Sequence, residues 1–264
     1  MAKKVKKITK LEHFVSSAHF FSDSRLWKSF LADIGEFSFI AVLAIVYDSL
    51  MGMYLKSKVP FFNNDVASLL SGQITAGEVQ KVLGLIMFLT VAFFVLLFFI
   101  ASTARFYIWC LTTARKFSRK LLWKFYGFKA VLYTASFLAF VLLVQWLQPG
   151  MKAYNLWSSL FAQIILLLFF ITTAYLNMRG SLEVLKSGKP LSSLSKSLKS
   201  IFTPDFITTS VFIVVGFALF SLASLLLRVF PELLTLMLSI LLLLLFISWA
   251  RMYFFDYFKK FERG

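Results

Sequence analysis

The sequence holds a single cysteine, Cys110, and two histidines, His13 and His19. One thiol excludes an internal disulfide, and one Cys with two His cannot complete an ordinary four-ligand zinc site. Acids are also few: 12 Asp and Glu stand against 28 Lys and Arg. Both histidines precede the first long apolar run, Gly-x-Ser-x-Gly does not occur, and paired aspartates within an apolar run are missing. A nucleophile–base–acid set needs such partners at one depth. The two common phosphate-cradling glycine loops, Gly-x-x-x-x-Gly-Lys-Ser/Thr and Gly-x-Gly-x-x-Gly, are absent as well. These gaps lead to the expectation of no enzyme, no metal and no cofactor. No Asn-x-Ser/Thr sequon is present, and the first 25 residues lack the compact apolar core of a cleaved signal peptide.

What the chain has in abundance is apolar surface. Of its 264 residues 59% are hydrophobic, and the mean hydropathy is +0.81. The excess is gathered into six runs, at 37–55, 82–104, 130–147, 157–177, 206–227 and 233–253. Each has about the length an α-helix needs to cross ~30 Å of hydrocarbon, and lipid offers an open backbone no hydrogen-bond partner. The expected fold is all-α: a polytopic bundle of six transmembrane helices in three hairpins, with amphipathic interfacial helices on the cytoplasmic face. The expected division is a basic amphipathic segment over 1–29 and a transmembrane domain over 30–264.

The net charge of +16 does not mark a nucleic-acid binder, because the cations lie between the apolar runs. Anionic membrane lipids are the simpler partner, with other membrane proteins a second one. Twenty-three of the 28 Lys and Arg fall in alternate segments: the N-terminal segment, the second and fourth loops, and the inner end of the last span with its tail. The positive-inside rule then places both termini in the cytoplasm and the chain in the cell (plasma) membrane.

Punctuation agrees with these spans. Thr203-Pro204-Asp205 opens the fifth helix, Thr75 to Glu78 has the form of a capping box, and Gln148-Pro149-Gly150 is expected to end the third span. A repeat is also visible. Leu26-Trp27-Lys28 is echoed by Leu122-Trp123-Lys124, the Lys28–Asp33 stretch by that from Lys199 to Asp205, and Ala104-Arg105-Phe106-Tyr107 by Ala250-Arg251-Met252-Tyr253. Three stretches are candidate surface helices. Leu11, Phe14, Val15 and Ala18 form an apolar stripe opposed by Glu12, His13, Ser16 and Ser17. Leu191, Leu194, Leu198 and Ile201 form another, opposed by Ser193, Lys196 and Ser200. In the second loop, basic residues alternate with Phe117, Leu121, Leu122, Trp123, Phe125 and Tyr126. Ala135, Ala139 and Gly216 are candidate close-packing positions.

Two polar groupings are candidate sites. Asp33 and Glu36 sit three residues apart at the mouth of the first span, where they suit a helix start and could pair with Arg105 or Arg251 at the same border. Asp48 lies within the first run, roughly 16 Å past Phe37 at ~1.5 Å per residue. An ionised carboxylate there is costly, so it is expected to face the bundle with Gln145 or Gln163 as a polar membrane site, or to reach the outer interface. The overall layout resembles that of uncharacterised six-span membrane proteins of archaea and bacteria, and is similar to the membrane domain accompanying glycerophosphodiester phosphodiesterases. The likeness rests on hairpin spacing and on entries such as Leu122-Trp123-Lys124 and Ser197-Leu198-Lys199, and it carries over no functional residue. Two functions fit: a non-enzymatic membrane component organising lipid or a protein complex, and a small transporter or permease for a lipid, ion or small solute.

Overall fold

The computed structural model describes residues 10–58, 76–152 and 156–261. Eight α-helices occur among them: α1 Lys10–Ser16, α2 Ser24–Lys58, α3 Ala76–Thr112, α4 Arg119–Lys152, α5 Leu156–Ser187, α6 Pro190–Ser200, α7 Pro204–Leu226 and α8 Glu232–Phe261. Short 3₁₀ turns follow α1 and α7. Six of the helices are long and apolar enough to cross a membrane, the shortest 23 and the longest 33 residues over that stretch. At ~1.5 Å per residue even the shortest exceeds ~30 Å. Their outward faces carry side chains such as Val42, Phe88, Phe137 and Leu142, each more than half exposed. Lipid is the solvent that suits such a surface.

The helices outrun the apolar runs at their basic ends. α3 continues through Arg105 to Thr112, and α2 starts at Ser24, well before Phe37. The helix around the third run also continues through Pro149 and Gly150 to Lys152, where a stop was expected. Pro149 lies in its last turn, so only one backbone bond, to Gln145, is forgone. Thr203 does precede α7, with Pro204 in the first turn, but its hydroxyl donates back to the Ser200 carbonyl at 2.6 Å instead of capping forward. Thr75 and the side chain of Glu78 lie outside the described residues. Between α7 and α8 the link is short, and the Thr235 hydroxyl donates to the Leu227 and Phe230 carbonyls at 2.9 and 3.0 Å.

The chain divides into two compact units, Met1–Asp33 with Arg105–Gly264, and Ile34–Ala104. In the smaller unit Tyr47 and Thr90 share a hydrogen bond of 2.7 Å, and Tyr47 stacks on Phe93 with ring centres 4.2 Å apart. In the larger unit the core is aromatic: Phe106, Phe125, Phe128, Tyr175, Phe254 and Tyr257 are all buried. Glycine sets two of its close approaches. A Cβ on Gly216 of α7 would overlap the Phe246 ring of α8, and one on Gly180 of α5 would overlap Phe128 of α4. Ala135 and Ala139, by contrast, are exposed.

Two of the expected surface stripes are rotated. In α6 the buried face is Ser193, Ser197 and Ser200, while Leu191 and Leu198 point outward. The reason lies in the hydroxyls. Ser193, Ser197 and Ser200 donate to the carbonyls of Lys189, Ser193 and Ser197 at 2.8, 2.8 and 2.6 Å. So satisfied, a serine packs as a small residue. In α1 and its 3₁₀ extension, His13, Ser17 and Phe20 are buried and Val15 and Ala18 are exposed. The third stretch is not a separate surface helix: from Arg119 it forms the first turns of α4, burying Leu121 and Phe125 and exposing Trp123.

Candidate functional site

Polar side chains of the larger unit converge where helices begin or end. Asp33 is fully buried and lies against Arg251, itself 3% exposed. The pairing is bidentate: Nη2 donates to Oδ1 at 2.9 Å and Nη1 to Oδ2 at 3.1 Å. Ser248, one turn earlier on α8, donates its hydroxyl to Oδ2. Arg251 Nη1 also donates to Ser29 Oγ at 2.6 Å, and its guanidinium lies 5.9 Å from the Trp109 ring centre. Arg105, a third exposed, reaches Oδ1 at 3.3 Å. Two guanidinium groups from the paired Ala-Arg-x-Tyr exits thus meet on one carboxylate, that of Asp33. Glu36 is buried one turn later and belongs to the other unit.

Further along the same border, the Tyr257 hydroxyl donates to Asp205 at 2.8 Å and the Tyr175 hydroxyl to Ser200 at 3.1 Å. Of the echoed residues, Asp33 and Asp205 both accept from α8, whereas Ser29 accepts from α8 and Ser200 from α5. The buried ammonium of Lys129 donates to Asn177 Oδ1 and, at 3.1 Å, to Ser181, with the rings of Phe125, Tyr133 and Phe128 at 4.9, 5.6 and 5.7 Å. Glu183 lies 3.7 Å from Lys196 and 3.9 Å from both Arg179 and Lys186.

The N-terminal segment is held by the same helix. His13 Nε2 lies 2.9 Å from Asp256, and Phe14 stacks on Phe212 at 4.4 Å while presenting its edge to Trp249 and Tyr253. Asp23 caps α2: its Oδ1 accepts the Arg25 backbone N–H at 2.8 Å. The Arg25 guanidinium also donates to it, at 2.6 Å from Nη2, and holds its carboxyl below the usual carboxylate range.

The second sequence-derived site fares differently. Asp48, Gln145 and Gln163 are all exposed, Asp48 in the smaller unit and the two amides in the larger. Burial falls instead on Asp33, Lys129 and Arg251. Sequence reasoning missed the roles of Ser248, Lys129, His13 and Asp256. Lys129, at the edge of an apolar run, was the one with a readable signal.

These features define an all-α, multi-pass membrane protein with a buried ion-pair network at the basic ends of its helices. No family model, no curated protein and no solved structure matches the chain.

Proposed function

We propose that this chain is a non-enzymatic component of the plasma membrane, with both termini in the cytoplasm, and that it organises lipid or a membrane protein complex at its basic border. One observation carries the reading. The buried Asp33 carboxylate is matched within the fold by Arg251 and Arg105, while basic residues at this border stand near outward-facing apolar side chains. Trp123 is 60%, Leu191 71% and Phe202 92% exposed, with the half-buried Lys124 next to Trp123, and the exposed Lys189 and Lys199 two and three residues from Leu191 and Phe202. Aromatic and basic residues mixed at a helix border seat in the headgroup layer. A permease would draw on polar groups lining a path at mid-membrane, and the side chains buried here, Asp33, Arg251 and Lys129, stand at the basic ends of the helices.

The test is copurification of the full chain in mild detergent, with identification of bound lipid and protein. Enrichment of anionic lipid, or of one membrane partner, over the bulk membrane is expected. Bulk lipid composition with no partner, together with solute uptake by proteoliposomes of the pure chain, would contradict it.

A further inference from the structure

A cleft of about 230 Å³ opens where the start of α4 meets the end of α5. Arg115, Lys120, Lys124 and Lys186 line it, with Ser118 and the turn at Gly188. Among the described residues no carboxylate lies within ion-pair distance of Arg115, Lys120 or Lys124; Lys186 is 3.9 Å from Glu183. The turn is shaped for this wall. Gly188 has φ +63, a conformation that side chains rarely adopt, and a Cβ there would stand 3.4 Å from Lys124 Nζ. Like charges crowded in this way repel unless an anion sits between them.

A second cleft, of about 180 Å³, lies further along the same α4 wall, closed on its other side by α6 instead of α5. Its floor on α4 is Gly127, Phe128 and Val131, and its other side is Leu191 and Leu194 of α6. Lys124 and Gly127 are three residues apart, so the clefts adjoin within one helical turn, about 5 Å. The order matters. The cationic cleft lies at the very start of the α4 span, which runs over Arg119–Gln148, and the apolar one lies further into that span. Gly127 leaves the groove open, since a Cβ there would meet nothing within 4 Å.

A free phosphate would use the first cleft alone. A molecule with an anionic head at the membrane border and a hydrocarbon tail leading inward would use both. We infer that these paired clefts are a binding site for an anionic glycerophospholipid, its phosphate among Arg115, Lys120 and Lys124 and the start of an acyl chain over Gly127. Basic pockets at helix borders recognise lipid headgroups by the same electrostatics. The inference rests on the lipid-organising reading and assigns it a place.

The experiment uses the full chain in nanodiscs of phosphatidylcholine doped with phosphatidylglycerol, and native mass spectrometry of the lipid it retains in neutral detergent. Wild type should enrich phosphatidylglycerol. K120Q/K124Q should lose about fivefold per lysine, about 25-fold together, as expected from the attraction per basic residue at a membrane surface. K259Q/K260Q, which removes two exposed lysines at the end of α8, should lose little. Gly127→Leu fills the groove and favours the helix, so it should weaken retention with the lysines intact. Inorganic phosphate should not displace the lipid. Enrichment that survives K120Q/K124Q overturns the site while leaving the lipid-organising reading standing. Displacement by phosphate together with an unaffected Gly127→Leu variant overturns the lipid as occupant. Absence of enrichment in wild type overturns the site and the lipid part of the reading, leaving a protein partner as what the chain organises.

Discussion

Asp33 and Arg251 share one dry site, and neither can be removed without leaving the other's charge poorly compensated. Breaking a buried pair from one side costs about 3–5 kcal/mol, whereas exchanging both members for apolar residues of similar volume is often close to neutral. Asp33→Leu should therefore destabilise the chain by about 3 kcal/mol or more in reversible unfolding in detergent. Asp33→Leu with Arg251→Met should recover a large part of that loss. A single variant as stable as wild type would mean that the pair contributes nothing. The pairing itself was legible, because Asp33, Arg105 and Arg251 all fall at the basic border of the spans. The bidentate geometry and the Ser29 and Ser248 contacts were not. They depend on how α2 and α8 are rotated about their axes, which hydropathy does not fix.

At the scale of the element, spans could be read and helix ends and faces could not. Apolar runs report where lipid contacts a helix, and a helix carried on by basic or amphipathic residues continues silently past them, as α3 does from Arg105 to Thr112. Faces misled wherever a polar side chain had a partner, local or distant. The α6 serines bond their own backbone, and His13 meets Asp256, so both turn inward against their hydropathy. The docking of α1 is testable. Phe14→Ala removes a half-buried ring from its stack on Phe212 and should cost about 2 kcal/mol, below the range for fully buried aromatics. Faster tryptic cleavage at Arg25 would report it, and unchanged cleavage would show that α1 is held elsewhere.

The cap on α2 has a pH signature. Arg25 depresses the Asp23 carboxyl, so its contribution is complete above the ordinary carboxylate value of about 3.9 and is lost as pH falls through the lower folded value. Asp23→Ala should cost about 1 kcal/mol at neutral pH. Asp23→Asn keeps an N-cap acceptor but should remove this part of the acid dependence, as read from thermal melts between neutral pH and the acid range. Identical acid dependence in wild type and Asp23→Asn would show that the carboxyl is not coupled to folding.

For the whole molecule, the six helices follow from length and hydropathy, and the echoed sequence segments return as echoed contacts. Arg105 and Arg251 meet one acid, and Asp33 and Asp205 both accept from α8. The cytoplasmic placement of this border is proposed from the alternating Lys and Arg count, and the proposed function stands or falls with it. The direct measurement is thiol labelling of intact cells in a Cys110→Ser background, with one new cysteine in each chain. Asn64→Cys reports the first loop. For the fourth loop Ser195 is the proper position, because it is exposed whereas the neighbouring Ser193 is buried. An impermeant reagent should label Asn64→Cys in intact cells and Ser195→Cys only after the membrane is opened. Labelling of Ser195→Cys in intact cells, with Asn64→Cys protected, would place the basic border outside and contradict the account.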